Sequence, residues 1–541
     1  MAGPAPLVAI VAHARAGALA QAWRLFRSAG LESVTDNPAV LSVKGRLLKD
    51  QGRLATGEAR RQFYARAAEA YGQAGAIDWT TYPLINAATL SLLAGETERS
   101  IALAGKVLAR LESGEDTEPD TPYWRTATRS EAYLLLGHTH EAWLALQEAI
   151  SLAPRAWEDH ASTLRQFALI LEARGEDDDW LNPLRPPRTL HFCGHLDVSP
   201  DDAALTEAVR DLLREERIGF GYGALAAGAD IIIAEALLDH GAELHLALPA
   251  SRSQFREVSV APHGDHWAAR FDAVLAKAET VVTVGSSRSP MSTPALEVST
   301  RSAMGRSVMQ ARILATEAIQ LAILDEMDSD RDNISEGGAI WSHRQWRSAG
   351  LRGRVLVSPR VRSGAAGALL ENRVDVRLMA IAALAPGDLD DEQIATRWLP
   401  EVLAAVSTEG LELQSSPSWS GQALILAVGD CAQAARLARA VADLQAGGRT
   451  AIDFGVVRTT PLLFGQPLER AQRLLASVPP GATCVTADFA TALMSGPHSD
   501  SWPCEPIGEM PDTDLRSLAD ELDSTIFGLR LERQVDSPLA L

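Results

Sequence analysis

The chain has little cysteine. Cys193, Cys431, Cys484 and Cys504 are the only four in 541 residues, and no two form a C-x-x-C pair. That spacing excludes a zinc knuckle and a disulfide-stapled scaffold. Long apolar runs are missing too; none approaches the roughly 20 residues that a membrane-spanning helix needs. Positive charge is scarce: 50 Lys and Arg stand against 70 Asp and Glu, a formal net charge of -20. Such a field repels a phosphate backbone and an anionic membrane, so no nucleic-acid or membrane partner is expected, while a local basic pocket for a small nucleotide stays open. The opening MAGPAPLVAIVAHARAG has no basic segment ahead of its apolar run. It reads as a first helix rather than a secretory signal, and a cytoplasmic location is the simplest expectation.

What is present is ordinary globular material, 46% hydrophobic and 22% charged. A chain this long predicts roughly two to four domains. Residues 8–178 are helical in pattern throughout, as in AGALAQAWRLFRSAG, ARRQFYARAAEAYGQAG and HASTLRQFALILEARG. Gly30, Gly52, Gly95 and Gly137 follow last apolar positions and are read as helix ends. Ala87, Ala102, Ala132 and Ala142 would let antiparallel helices approach closely. Repeated short helix pairs, best seen from Ser130 to Pro154, predict a tetratricopeptide-like domain over residues 1–180. TYPLINAATLSLLAG, Thr81 to Gly95, resembles the Tyr-x-x-x-Asn-Ala-Ala-x-Leu signature of the TRAFs-binding repeat family. Asn86 either orders a groove or caps a neighbouring carbonyl. Such arrays leave a concave surface that takes a protein partner or packs within the chain.

After the polar break RGEDDDWLNPLRPPR the period changes to alternating strand and helix, which predicts an α/β domain with a mainly parallel sheet over residues 187–350. Its chemistry should lie at the carboxyl ends of the strands. Two glycine-bearing loops are expected there: Gly194-His195, and Gly221-Tyr222-Gly223 with Gly228-Ala229-Asp230. Glycines let backbone N–H groups face a phosphate at a helix N-terminus, although G-x-G-x-x-G is absent. Glu235, about one helical turn past Asp230, is expected on the same face, so that the pair contacts a ribose or base or supplies acid–base catalysis. Asp230 as a cap and Glu235 as a solvated residue are the bland alternatives. Arg252, Arg256 and Arg270 are candidate phosphate partners or plain surface, and His195 a phosphate contact or a core histidine. His263, Asp265 and His266 sit in a presumed loop with no ordinary zinc spacing, and no metal is expected. Trp341 and Trp346 are read as packing more than base-stacking residues.

GALAAGADIIIAEALLDHGAELHLALP, with FREVSV and WAARF, resembles the SLOG superfamily of nucleotide-binding Rossmann-like domains. In that superfamily's nucleosidases a Pro-Gly-Gly-x-Gly-Thr stretch and a glutamate serve phosphate binding and glycosidic cleavage. GALAAGAD stands in its place here. The resemblance implies a nucleotide-like ligand of unknown identity, with no cofactor required, and Leu321 to Asp325 as the domain's last strand.

Residues 373–535 alternate short strands and helices in a pattern that suits a ferredoxin-like sheet. Their order resembles a class III adenylate/guanylate cyclase homology domain, with GQPLERAQRL and PPGATCVTADFATAL standing for two of its motifs. By that resemblance, Ala383 and Gln422 occupy the metal-binding aspartate positions, Glu469 an asparagine position and Arg473 a kept arginine. Two divalent ions cannot be held by Ala383 and Gln422, so an inactive cyclase-like module is implied. Such domains normally pair, which implies a homo-oligomer. Asp388 and Asp430 lie nearby, Asp430 as a helix cap.

The expected protein is therefore a multidomain α plus α/β bacterial signalling or stress-response protein. It binds a nucleotide-like molecule centrally, engages a protein through its repeats and assembles through its last domain. A nucleotide hydrolase or N-glycosidase centred on Gly221 to Glu235 is the enzymatic alternative, and an inert scaffold the third.

Overall fold

The computed structural model describes residues 4–114, 121–284, 291–326, 338–361, 375–442, 444, 448–460, 462–497, 501–510 and 523–531. It divides into two compact units, one formed chiefly by Met1–Pro186 and the other by Pro187–Arg312 with Thr316–Leu531.

The first unit is helical: α1 (Pro4–Arg15), α2 (Leu19–Ser28), α3 (Pro38–Leu54), α4 (Gly57–Asp78), α5 (Thr81–Leu93), α6 (Thr97–Ser113), α7 (Pro122–Leu135), α8 (Thr139–Leu152) and α9 (Trp157–Arg174). Local chemistry sets several starts. Asn37 accepts from the N–H groups of Ala39 and Val40 with Pro38 at the first position, and Thr121 caps Trp124 N ahead of Pro122. Ala87, Ala132 and Ala142 are fully buried between helices. Ala102 is exposed, and its neighbour Ala104 takes the packed position instead. Gly30, Gly95 and Gly137 follow helix ends with left-handed φ. Gly52 corrects that pattern: it lies inside α3, where a Cβ would meet the Tyr64 ring at 2.5 Å. Asn86 donates to the Tyr82 carbonyl at 2.9 Å, a bond within its own helix.

The second unit contains two sheets. The first is built from β1 (Arg188–Gly194), α10 (Ala203–Glu215), β2 (Ile218–Gly223), α11 (Ala229–His240), β3 (Glu243–Leu248), α12 (Arg252–Ser259), α13 (Asp265–Leu275), β4 (Thr280–Thr283), α14 (Thr293–Ile313), β5 (Ala318–Leu324), α15 (Ala339–Ser348) and β6 (Gly353–Val357). Its order is β4-β3-β2-β1-β5-β6, every pair parallel. The chain grows one way from β1 to β4, then returns to add β5 and β6 on the other side. The direction of growth reverses between β1 and β5, where open parallel sheets form their ligand crevices. Two expectations are corrected. Gly221, Tyr222 and Gly223 are not a loop but the end of β2, and β6 follows the segment read as the last strand.

The second sheet comprises β7 (Val376–Ala385), α16 (Asp391–Gln393) running through a π-helical turn into α17 (Leu399–Thr408), β8 (Ser418–Ser420), β9 (Ala423–Val428), α18 (Cys431–Ala442), β10 (Arg449–Arg458), α19 (Gln466–Ser477), β11 (Thr483–Thr486), α20 (Ala487–Met494), β12 (Cys504–Glu509) and β13 (Thr525–Leu529). Its order is β12-β13-β11-β10-β7-β9-β8, antiparallel except for the β10–β11 pair. One hydrophobic cluster joins the sheets: Ala247, Val298 and Ala303 pack together with Leu426, Ala438, Phe489 and their neighbours. A Cβ at Gly305 of α14 would collide with the Thr491 carbonyl of α20, so these helices touch through backbone.

Candidate functional site at the carboxyl edge of the parallel sheet

Gly228 precedes α11 with φ +82, and a Cβ there would run into the Leu196 carbonyl. The loop leaving β1 crosses the start of α11 at this point. His195 O accepts from Ala229 N at 3.3 Å, so this N-terminal donor, expected to face a phosphate, is used by the chain itself. Only glycine fits both the backbone angle and the crossing.

Asp230 follows in the first turn of α11 and is 7% exposed. Its Oδ2 accepts from Ala226 N at 3.2 Å, and the backbone of Gly194 bonds the same carboxyl group. The carboxylate thus ties the end of β1 to the loop after β2. Its Oδ1 is buried and has no hydrogen-bond partner among the described residues. Burial outweighs the two N–H bonds and pushes the carboxyl up to about 7.

A strap of chain after β6 completes the edge. Ser358 O lies 2.9 Å from His195 Nε2, and Val361 N donates to Asp197 O at 2.8 Å. Arg360 N donates to Asp325 Oδ2 at 2.8 Å, while its guanidinium lies 3.7 Å from Asp197. His263 Nδ1 is 4.0 Å from the same aspartate. His195, Asp197, Asp325 and Arg360 therefore meet over the β1–β5 reversal.

Other sequence-derived candidates go elsewhere. The Cα hydrogens of Gly194, Gly221 and Gly223 face Ala229, Leu237 and Phe192, the last at 2.5 Å from a hypothetical Cβ. These glycines let α11 and a neighbouring ring close on the sheet. Asp230 and Glu235 do not share a face, since five positions turn a helix by about 140° beyond one full turn. Glu235 instead forms a two-pronged ion pair with Arg270, at 2.9 and 2.5 Å, and that guanidinium stacks over Trp267 at 4.4 Å. Arg256 grips Asp272, and Arg252 is exposed at the start of α12. Asp265 and His266 open α13 rather than a loop. Trp346 is fully buried, donates to Arg352 O and stacks on His191; Trp341 lies under the Arg301 guanidinium.

Two buried networks escaped the sequence reading. Below the parallel sheet, His191 Nε2 lies 3.0 Å from Ser342 Oγ, which also receives Gln320 Nε2 at 3.3 Å. Burial lowers this imidazole to about 4, so it is neutral. In the second sheet Arg470 of α19 bonds Asp453 of β10 at 2.6 and 3.0 Å and Asp488 of α20 at 2.5 Å. Thr486 Oγ1 donates to Asp453 as well. The phase of α19, with Pro467, Arg470, Ala471 and Leu474 buried, is the signal that would have found Arg470.

The cyclase-like positions are not a metal site. Ala383 is fully buried in β7 between Ala451 and Ile425. Gln422 is exposed in the β8–β9 turn. Neither offers a carboxylate, so the pair does not fit two divalent ions. Glu469 and Arg473 face solvent as an i,i+4 pair at 4.0 Å. Asp388 is exposed, and Asp430 caps α18 by accepting from Gln433 N at 2.8 Å.

Residues 8–91 match the family described as Tetratricopeptide Repeats-Sensor. The N-terminal region is thus a tetratricopeptide-like helical repeat. No curated protein matches the chain. Among solved structures, the chain is similar to the adenylyl cyclase CyaB from P. aeruginosa, at 13% identity over 31% of this chain and 97% of that one, with a TM-score of 0.23. It is also similar to the guanylate cyclase domain of RhGC from Catenaria anguillulae, solved with GTP, at 10% identity over 28% of this chain and 94% of that one, TM-score 0.22. The monomeric guanylyl cyclase domain of RhoGC from Blastocladiella emersonii gives 12% identity over 22% and 86%, TM-score 0.19. Likeness at this level carries no statement about activity. Among the described residues, no helix is long and apolar enough to cross a membrane.

Proposed function

We propose that this chain is a ligand-responsive signalling protein. Its central domain binds a nucleotide-like small molecule beside the β1–β5 reversal. The repeats engage a protein partner, and the cyclase-like domain serves assembly into a homo-oligomer without cyclase chemistry. The observation that carries the reading is Asp230: a buried carboxylate at the carboxyl edge of a parallel sheet, held by two backbone N–H groups, with one oxygen unsatisfied. An oxygen in that position accepts a ribose or base donor. SLOG-like nucleotide binding and a cytoplasmic setting agree with this reading.

The test is calorimetric titration of the full chain with NAD, ATP, nucleoside monophosphates and cyclic nucleotides. At least one should bind, and Asp230→Ala should weaken it by about tenfold or more, the 1.4 kcal/mol of a good polar contact. Absence of binding by every compound overturns the reading.

The hydrolase or N-glycosidase alternative has one favouring observation, the carboxyl group of Asp230 poised at about 7. Glu235, committed to Arg270, is no partner for it. Chromatography of the same mixtures separates the readings: turnover lost in Asp230→Asn supports an enzyme, and unchanged nucleotide supports a binding domain.

A further inference from the structure

Among the described residues the two sheets end in the edge strands β4, β6, β8 and β12. An open edge is a template for another strand, and folds ordinarily blunt it with brevity, proline, charge or irregularity. β8 has three residues. β12 carries Pro506, Glu505, Glu509 and a register shift. On β4, Val282 packs against the cluster that the two sheets share. β6 has none of these devices. It pairs with β5 in unbroken register from Gly353 to Val357, with no proline and no acidic residue.

The ends of β6 fix its backbone directions. Arg352 O accepts from Gln320 N at 3.1 Å, and Ser358 N donates to Leu324 O at 2.9 Å. In a parallel ladder that phase turns the N–H and C=O groups of Arg354 and Leu356 toward β5. Those of Gly353, Val355 and Val357 point away from the sheet and meet no partner among the described residues. These three residues also share one face, where Val355 is 43% and Val357 57% exposed. On the other face Leu356 packs against the core of the first sheet. Beside it Arg188, Arg352 and Arg354 are matched by Glu215, Glu216 and Glu317 in one ion-paired cluster. The edge is therefore apolar and locally neutral on a chain of net charge -20. Two copies can approach here without the repulsion that the rest of the surface imposes.

We infer that β6 is a self-association edge, pairing antiparallel with β6 of a second copy across a two-fold axis at Val355. The outward groups of Gly353, Val355 and Val357 allow few registers. An axis at Arg354 sets that arginine directly against its own counterpart, and facing like charges are destabilising. An axis at Leu356 sets Gly353 against Pro359, which has no N–H to give. An axis at Val355 lets Val355 exchange both backbone bonds with its counterpart, and Gly353 with Val357. It also lays valine on valine and sets no arginine opposite an arginine. A second copy supplies this match by symmetry, from the same five-residue strand. The surface is separate from the cyclase-like domain and does not depend on assembly through it.

Sedimentation velocity of the full chain in the micromolar range tests the inference. The wild type should associate. Val355→Lys and Val355→Glu should each weaken that step by about tenfold, through the lost valine contact and like charges set face to face. Val355 is exposed in the single chain, so thermal denaturation of both variants at high dilution should match wild type. An equimolar mixture of the two variants sets opposite charges together and should restore association. Where the cyclase-like domain also pairs, each variant stops at that dimer; where it does not, each is a monomer. The two readings therefore fail separately. A monomeric wild type overturns the inference. So do variants that associate as the wild type does, and a mixture that stays as weak as either variant alone.

Discussion

Asp230 and Asp453 are both buried carboxylates in α/β layers, and the chain treats them differently. Asp453 is fully buried and shares a guanidinium with a second aspartate, so charge meets charge. Asp230 has only backbone N–H groups and one empty lone-pair direction. Both acids are pushed up, to about 6 and about 7, with burial the main cause in each. The difference teaches where a fold spends its polar satisfaction. The second sheet is locked by a closed network, while the first keeps an incomplete one at its carboxyl edge.

Four substitutions break or sharpen this contrast. The largest effect should come from Arg470→Met, which strands two buried carboxylates and costs about 3–5 kcal/mol, read as a lower denaturation midpoint with unchanged slope. Asp230→Asn comes next and acts through pH. The folded acid titrates near 7 against an ordinary 3.8, so its stabilisation is complete below pH 3.8 and is lost as pH rises to 7. The loss amounts to roughly 4 kcal/mol, and Asn removes it. Urea titrations from pH 4 to 8 should show wild-type stability falling relative to Asp230→Asn, and parallel curves would refute the buried acid. Gly194→Ala follows: its Cβ collides with Ala229 and should cost about 1–3 kcal/mol in thermal denaturation. The smallest effect belongs to Glu235→Gln, whose ion pair with Arg270 is partly exposed and contributes at most about 1 kcal/mol.

Much of the fold was legible. The helical repeats show in the spacing of apolar residues, and their starts in Asn37-Pro38 and Thr121-Pro122, because capping is local chemistry. The parallel sheet follows from alternating strand and helix patterns. The site was harder. Gly221 and Gly223 look like loop glycines in sequence, since the same absence of a side chain serves a phosphate or a close-packed leucine. Asp230 was singled out by its place at the start of a helix after a glycine, but Glu235 was joined to it by a spacing that puts the two on different sides of α11. Arg473 was chosen by motif, whereas helix phase buries Arg470 and leaves Arg473 in solvent. Thr89 and Glu131 come together across repeats, and a hydrogen bond between residues 42 apart in sequence leaves no trace in a local pattern.

The bare backbone contact of Gly305 with Thr491 has a consequence for how such chains can be rearranged. Helix α14 is a party wall: Val298 and Ala303 belong to the core of the second sheet as much as to the first. A recombination crossover between β6 and β7 would give one descendant an uncovered wall and the other a missing one. Separating the two sheets would therefore bare buried apolar surface on each, and a second sheet on its own would need another cover.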